Sequence, residues 1–173
     1  MRVRLKNAVW IGGIFFFLAA PVLKAEGEKM AYVDVAKVFD EYQKTKDNDR
    51  TLQDAGKKKE QERDALVNAI RQMKDELVLL NEESKAKKQE ELEAKVRELQ
   101  EFDRKAKKEL GDKRSVIVRE IFKDIDDTVK RLGEKKGADA IFNERALLFH
   151  NIKFDMTTEV LTELNKAYAT KKK

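Results

Sequence analysis

The longest pattern in this sequence is a heptad series of apolar residues within a highly charged stretch. The series steps by four and three residues through Leu66, Ile70, Met73, Leu77 and Leu80. A second apolar series follows at Leu92, Val96, Leu99, Ala106 and Leu110. Apolar residues at heptad spacing form the narrow buried stripe of a coiled coil. The pattern therefore predicts two long helices, each with one stripe that packs against a partner.

A polar gap separates the two series. Residues 81–88 contain no large apolar side chain. Such a gap predicts a turn that joins two antiparallel helices. Each helix would have about 40 residues and reach about 60 Å at a rise of 1.5 Å per residue. We therefore predict that residues 47–111 form a helical hairpin arm, a coiled-coil tentacle.

The second helix also carries acid-first charge pairs at a spacing of four residues. They are Glu91–Lys95, Glu93–Arg97, Glu101–Lys105, Asp103–Lys107 and Glu109–Lys113. Such pairs contribute about 0.2–0.5 kcal/mol each to a helix, and salt weakens them. They are typical of a solvent-exposed helix rather than of a binding site.

Short apolar runs on both sides of the arm predict a few β-strands. Met30–Val35 is rich in the residues that strands prefer, and Ala36–Lys46 then shows helical spacing. Ala138–Asn143 and Ala146–His150 predict two more strands. The residues between them, 143–145, are expected to form a hairpin turn.

The helices next to these strands carry broader apolar faces. Beyond Gly111 the apolar residues are Val116, Ile117, Val118, Ile121, Phe122, Ile125, Val129 and Leu132. Gly133 and Gly137 fit a helix stop. Asp155 fits the N-cap of a last helix. The buried side of that helix would comprise Val160, Leu161, Leu164 and Tyr168. We expect the tail Lys171–Lys173 to be frayed.

These patterns predict a mainly α protein with a small β body, an α+β fold, from which the helical hairpin projects. The body would comprise residues 26–46 and 112–173. Its roughly 20 core-sized side chains are few for independent stability, and a three-stranded sheet with open edges invites pairing with another chain. We therefore predict an oligomerisation body. Its candidate contact residues are Tyr32, Val33, Val35, Ile141, Phe142, Leu147, Leu148 and Phe149.

The first 25 residues have the layout of a secretory signal peptide. A basic start at residues 2–6 precedes an apolar run from Ala8 to Ala20. The run is shorter than the roughly 20 residues of a spanning helix, which favours cleavage over an uncleaved membrane anchor. We predict removal of residues 1–25 by a cut after Ala25, export to the periplasm, and no stable membrane span after cleavage.

Removal of this segment changes the charge of the protein. The whole chain has 38 bases and 33 acids, a net charge of +5, and 41% of its residues are charged. Residues 1–25 carry four of the bases and no acid, so the remaining 148 residues have a net charge of +1. Such balance is typical of long solvated helices. It disfavours nucleic acid as a partner, because a nucleic-acid binder concentrates positive charge on one face.

The residue types of most catalytic and metal sites are scarce. The sequence has no cysteine, its only histidine is His150, and its glycines form no phosphate-binding loop. This excludes a thiol nucleophile and a cysteine-based zinc site. We predict no catalytic residue, no metal ligand and no cofactor, and a structural or surface role for His150. The protein is therefore predicted to be a binding or structural protein and not an enzyme.

The order of these elements resembles the Skp/OmpH family of periplasmic chaperones. The resemblance is carried by the charged hairpin and by Ala31–Phe39, Ala138–Asn143, Ala146–Phe149 and Asp155–Leu161. It implies a homotrimer whose strands build a central body and whose three hairpins surround a cavity. It also implies an ATP-independent holdase that binds unfolded outer-membrane proteins and prevents their aggregation before membrane insertion.

Two hypotheses of function stay open on the sequence alone. For a holdase, the interruption of the first apolar series by Gly56, Lys59 and Arg63 would leave the arm able to flex around clients. Family members are often strongly basic, whereas this chain is nearly neutral after cleavage, which argues against charge-steered capture as the main mechanism. The alternative is a secreted structural coiled-coil spacer or envelope tether, because long charged helices most often serve as scaffolds.

Overall fold

The computed structural model describes residues 28–172 of the chain. The predicted signal peptide, residues 1–25, lies outside the described residues. The elements in chain order are β1 (Met30–Val33), α1 (Val35–Glu41), α2 (Gln43–Leu79), α3 (Glu82–Lys136), β2 (Ala140–Asn143) and α4 (Thr157–Lys171), with short 3-10 turns at Glu144–Ala146 and Ile152–Phe154. Long helices and a small sheet confirm the predicted fold class.

The antiparallel helices α2 and α3 form the arm, and both are continuous. α2 has 37 residues and α3 has 55, so they span about 55 Å and about 80 Å at 1.5 Å per residue. α3 is longer because it runs from the tip of the arm into the body without a break. Gly56 and Gly111 lie inside these helices and end neither of them.

The turn at the tip is shorter than the sequence predicts. Only Leu80 and Asn81 lie outside the two helices, so the polar residues 82–88 begin α3. The Asn81 side chain accepts a hydrogen bond from the Ser84 backbone N–H at 3.0 Å, as an N-cap residue does. The first turn carries two glutamates, which the helix dipole stabilises. A segment without apolar residues thus starts a helix instead of forming a loop.

The apolar seam packs as predicted in the outer half of the arm. The buried cluster there comprises Ile70, Leu77 and Leu92, with Met73, Val96 and Leu99 packed against it. Leu80 is the exception, because it lies in the turn and leaves 36% of its surface exposed.

The two ends of the described chain meet in the core of the body. Its most buried side chains come from β1, α1, α3 and α4, and they are Val33, Val38, Ile121, Val160 and Leu164. Ile125 and Leu132 extend this core along α3, and Ile117 and Val129 pack against it. The apolar face predicted beyond Gly111 is therefore buried only in part, because Val116 and Phe122 are 45% and 47% exposed. The N-cap of α4 is Met156 and not the predicted Asp155. Asp155, one residue earlier, still accepts a hydrogen bond from the Thr157 backbone N–H at 2.8 Å and so satisfies a donor at the start of α4.

The strands β1 and β2 form a two-stranded parallel sheet. The register pairs Met30 with Ala140 and Val33 with Asn143. Parallel strands need a long crossover connection, and here the entire arm, with α1 before it, provides that connection. The sheet thereby fixes the two bases of the arm next to each other.

The predicted third strand at Ala146–His150, and the hairpin turn before it, are wrong. Residues 144–146 form a 3-10 turn, and residues 147–150 belong to no strand. A tight hairpin turn requires residues with positive φ, and Gly137 is the only residue of the described chain with that geometry. The Asn143 side chain instead accepts a hydrogen bond from the Arg145 backbone N–H at 3.2 Å and starts the 3-10 turn.

The glycines of α3 differ in what they do. α3 continues through Gly133 and ends at Lys136, and Gly137 provides the left-handed C-cap with φ of 61°. Gly111 lies inside the helix, where an added Cβ meets no atom within 4 Å.

We expect alanine substitutions at Gly137 and Gly111 to change the stability of the protein in opposite directions. Gly137→Ala should lower the free energy of unfolding by about 1 kcal/mol, because a side chain disfavours the left-handed region. Gly111→Ala should raise it by about 0.8–1 kcal/mol, because alanine has the higher helix propensity. Urea denaturation at one fixed protein concentration measures both. Changes of the same sign would contradict this description of the two positions.

Candidate interaction surfaces

The residues that the sequence predicts for the oligomerisation body fall into two groups. The first group lies within the single chain: Tyr32 and Val33 are buried, and Val35 and Ile141 pack against the core. The second group comprises Phe142, Leu147, Leu148 and Phe149, of which only Leu147 is half-buried. The first group holds one chain together, so only the second group is available to another chain.

Further exposed apolar side chains follow in the same stretch of chain, and together we call these residues the body patch. It comprises Phe142, Leu148, Phe149, Ile152 and Phe154. Leu148 and Phe149 are the most accessible, at 109% and 86% of their reference surface, and Ile152 follows at 82%. Ile152 and Phe154 were not among the residues predicted from the sequence, although both continue the apolar spacing past Phe149 in a segment without strong helical pattern.

The body also has an open sheet edge along β2, the strand that contains Phe142 of the body patch. β1 pairs with β2 on one side, and on its other side Tyr32 bridges to Asp155. No strand of residues 28–172 lies along the outer edge of β2. Open strand edges and clustered exposed apolar side chains are typical of surfaces that contact another chain.

His150 lies beside the body patch in a structural position. Its ring packs against the Tyr32 ring, with centroids 4.3 Å apart, and its Nε2 lies 3.1 Å from the Glu144 carboxylate. Burial raises the pKa of the Tyr32 hydroxyl, and the charges of Asp155 and Glu144 act in the same direction. These contacts order the segment that carries the patch.

A second exposed apolar group lies at the tip of the arm. Val78 is 79% exposed and Leu79 is 86% exposed, at the end of α2. The apolar period does not predict them, because they stand next to the heptad positions and not on them. Two nearby lysines are paired: Lys88 with Glu76 at 2.7 Å and Lys85 with Glu82 at 3.1 Å.

The middle of the arm is held by charged contacts between α2 and α3. Arg63 Nε lies 3.0 Å from the Asp103 carboxylate, and Lys59 Nζ lies 3.4 Å from that of Glu109. The Glu109 charge is the main cause that raises the pKa of Lys59. Lys59 also lies over the Phe102 ring, 5.6 Å from its centroid. The predicted interruption of the apolar series therefore coincides with a stretch in which ion pairs replace apolar packing.

The ion pairs along α3 agree only in part with those predicted. Glu93–Arg97 and Glu109–Lys113 form, at 3.9 Å and 2.8 Å. In the other three predicted pairs one member has a different partner: Asp103 pairs with Arg63 across the arm, Lys95 with Glu98, and Glu101 with Arg104. Exposed ion pairs are weak. A charged side chain can therefore pair with a residue three positions away, or with one on the facing helix, instead of the residue four positions away.

Polar contacts fasten the base of α2 to the body. The Asp47 carboxylate accepts hydrogen bonds from Gln43 Nε2 at 2.8 Å, the Tyr168 hydroxyl at 3.0 Å and Lys172 Nζ at 2.8 Å. On the other side, Lys44 Nζ donates to Asp124 at 2.9 Å. The expectation of a frayed tail is therefore wrong for residues 171–172, because α4 continues to Lys171 and Lys172 binds α2.

We expect the contribution of Asp47 to stability to be lost in acid. Its hydrogen bonds, above all that from Lys172, lower its pKa from 3.8 to about 2. A lowered pKa adds stability above the unfolded-state value, and that stability disappears as the pH falls through the folded-state value. The stability difference between wild type and Asp47→Asn should therefore shrink from about pH 5 to about pH 2 in urea denaturation. A difference that grows towards low pH would contradict the assignment.

The described residues hold no arrangement that points to catalysis by a metal. Within residues 28–172, no group of three or more histidine, cysteine or acidic side chains is placed to hold an ion. Over the same range no helix has both the length and the apolar character needed to cross a membrane. The surfaces that stand out are the body patch, the open edge of β2 and the arm.

The fold described above, a small α+β body with one long helical arm, can be compared with known proteins. The family model of the outer membrane protein (OmpH-like) family matches residues 29–164. This match spans most of the chain, so the protein belongs to the OmpH-like family, and the predicted resemblance is confirmed.

A solved structure shows the same fold. The crystal structure of a candidate outer membrane chaperone (OmpH-like) from Caulobacter crescentus CB15 superposes with a TM-score of 0.75 at 12% sequence identity. The match covers 81% of this chain and 85% of that chain. No curated protein matches this chain.

Proposed function

We propose that this protein is a chaperone of the periplasm that holds unfolded outer-membrane proteins without using ATP. In this role it binds its clients in a cavity between helical arms and prevents their aggregation before membrane insertion. Family membership supports the chaperone role, as does the similar fold of a protein whose description is an outer membrane chaperone. A holdase acts by mass action, because it binds the unfolded chain and lowers its free concentration.

The observation that carries the proposal is the division of the chain into a small body and a long arm. The arm projects about 55 Å beyond the base of α2 at 1.5 Å per residue. A monomer with one arm has no enclosed space, so a cavity requires several arms around a shared body. The body patch and the open edge of β2 are suited to join the bodies.

We propose a homotrimer, as the family resemblance implies. Leu148 and Phe149 are almost fully exposed in the single chain, and burial of apolar surface contributes about 25 cal/mol per Å². Strand pairing along β2 would also give hydrogen-bond partners to the backbone N–H and C=O groups of its open edge, which otherwise bond only to water. In the proposed trimer the exposed apolar side chains would be buried and the open strand edge would be paired.

The charge distribution favours apolar contacts, rather than electrostatic attraction, as the basis of client binding. Lys85 and Lys88 near the tip are paired with glutamates, and the chain without residues 1–25 has a net charge of +1. Exposed apolar residues at the tip, such as Val78 and Leu79, offer contacts to unfolded chains instead. We therefore propose that added salt weakens client binding only slightly.

Suppression of aggregation tests the proposal. A β-barrel outer-membrane protein unfolded in urea is diluted into buffer with residues 26–173 at one trimer per client, and light scattering follows aggregation. We expect scattering to be suppressed without ATP, and an unrelated coiled coil of similar length and charge to have no effect. Unchanged scattering would reject the holdase. It would favour the alternative of a spacer or tether, which binds one folded partner in a fixed ratio.

A further inference from the structure

The chain changes direction where the body meets the arm. α1 ends at Glu41 and α2 begins at Gln43, and Tyr42 between them is extended, with φ of −62° and ψ of 127°. α3, in contrast, passes from the arm into the body without a break. The two helices of the arm are therefore anchored differently: α3 by its own continuity, and α2 by contacts with neighbouring elements.

The first of these contacts caps α2 from another helix. The N-cap residue Tyr42 has no side-chain acceptor for the free N–H groups of the first turn. Asn165 of α4 takes this role, since its Oδ1 accepts a hydrogen bond from the Gln43 backbone N–H at 2.9 Å. An N-cap acceptor contributes to helix stability wherever it comes from, because the first four N–H groups have no partner inside the helix.

The second contact lies one turn further along both helices. Tyr168 of α4 and Lys172, the C-cap of the same helix, both donate to the carboxylate of Asp47, at 3.0 Å and 2.8 Å. The Tyr168 ring also packs edge-on against Tyr42, with centroids 5.9 Å apart. Asn165, Tyr168 and Lys172 follow one another at steps of three and four, so they lie on one face of α4.

We propose that Asn165, Tyr168 and Lys172 are positioning residues that clamp the base of α2 and set the direction in which it leaves the body. Lys44 adds a contact between α2 and α3, because its Nζ lies 2.9 Å from Asp124 and 3.5 Å from Glu120 on α3. The C-terminal turn of α4 thus belongs to the arm's support and does more than close the core.

The clamp has a consequence for client binding, and this part rests on the proposed function. With α3 fixed, release of α2 at its base would separate the two helices where the arm leaves the body. The wall of the cavity would then be less defined, and clients would dissociate faster. The core residues of α4, such as Leu164, should remain in place because they are buried in the body.

Hydrogen exchange at one amide tests the cap directly. In the full chain, Asn165→Ala should make the Gln43 amide exchange about fivefold faster, because loss of an N-cap acceptor costs a helix about 1 kcal/mol. Asn165→Asp keeps an acceptor at this position and should restore slow exchange. The assignment of Asn165 as the cap is overturned if the Gln43 amide exchanges at the wild-type rate in Asn165→Ala. It is also overturned if Asn165→Asp does not restore slow exchange.

Distances between spin labels test the clamp as a whole. The sequence has no cysteine, so Asp49→Cys on α2 and Thr162→Cys on α4, both exposed, can carry the labels. An excess of unlabelled chain excludes distances between subunits. The combined variant Asn165→Ala, Tyr168→Phe and Lys172→Ala should broaden the distance distribution and lengthen its mean.

A matched control removes two lysines that make no contact between helices. Lys123→Ala with Lys130→Ala breaks pairs with Asp127 and Asp126 of the same helix, each at 2.7 Å. This control should keep the wild-type distribution, and the proposal is overturned if the clamp variant keeps it too. Client release is then compared in the same variants. If wild type itself holds no client, the proposed function fails, while the distances still decide the clamp.

Discussion

Replacement of Leu148 and Phe149 with serine should convert the proposed trimer into monomers while each chain keeps its fold. Both side chains are almost fully exposed in the single chain, so their loss removes nothing from its core. In the proposed trimer they are buried between the bodies. Loss of these large apolar side chains should therefore weaken association by several kcal/mol at each interface. Light scattering coupled to size exclusion measures the mass, and circular dichroism measures the helix content.

The tip of the arm offers a matched control for this experiment. Val78 and Leu79 expose similar fractions of their surface, 79% and 86%, but lie at the far end of the arm. Their replacement with serine removes a comparable apolar area and should leave the mass unchanged. If the Leu148/Phe149 variant keeps the wild-type mass, the body patch is not the interface; if both variants dissociate, the effect does not come from the patch alone.

The second large effect is expected from the core of the body. Ile121 has no exposed surface and belongs to the cluster that α1, α3 and α4 share. Ile121→Ala should lower the free energy of unfolding by about 3 kcal/mol, because it removes buried methyl groups and leaves a cavity. Val116→Ala in the same helix should cost less than about 1 kcal/mol, because Val116 is 45% exposed. Urea denaturation at a fixed chain concentration compares them, and equal losses would contradict the position of the core.

The arm was the part of the fold most open to prediction from the sequence. Its helices are long and its apolar residues repeat with a fixed period, so Ile70, Leu77 and Leu92 could be assigned to the seam before any contact was known. The period does not show where a helix starts, however. The polar residues after Asn81 form the first turns of α3 because of a cap and two glutamates, which a search for apolar spacing ignores.

The body was predicted less well because its contacts join residues far apart in the sequence. The apolar run at Ala146–His150 looks like a strand, but an apolar run does not reveal whether a neighbouring strand is available within the chain. Lys172 looks like part of a frayed tail, and its contact with Asp47 lies 125 residues away. Of the candidate interface residues, Tyr32 and Val33 are buried inside one chain, a distinction that strand pattern alone does not make.

The balanced charge of the chain also has a structural meaning. Many charges form pairs within a helix, such as Lys113 with Glu109, or across the arm, such as Arg63 with Asp103. These pairs are exposed and each contributes little, but they keep a long two-helix arm soluble where its apolar seam is interrupted. We therefore interpret the charges as support for the arm, and under the proposed function we expect its exposed apolar residues to contact clients.

The mass of a complex with one client tests the central claim most directly. Residues 26–173 are mixed with a urea-unfolded outer-membrane β-barrel protein, the urea is diluted, and light scattering gives the molar mass of the soluble species. Our account predicts one species that contains three copies of this chain and one client. Separate peaks of free protein, with the client lost to aggregation, would contradict it.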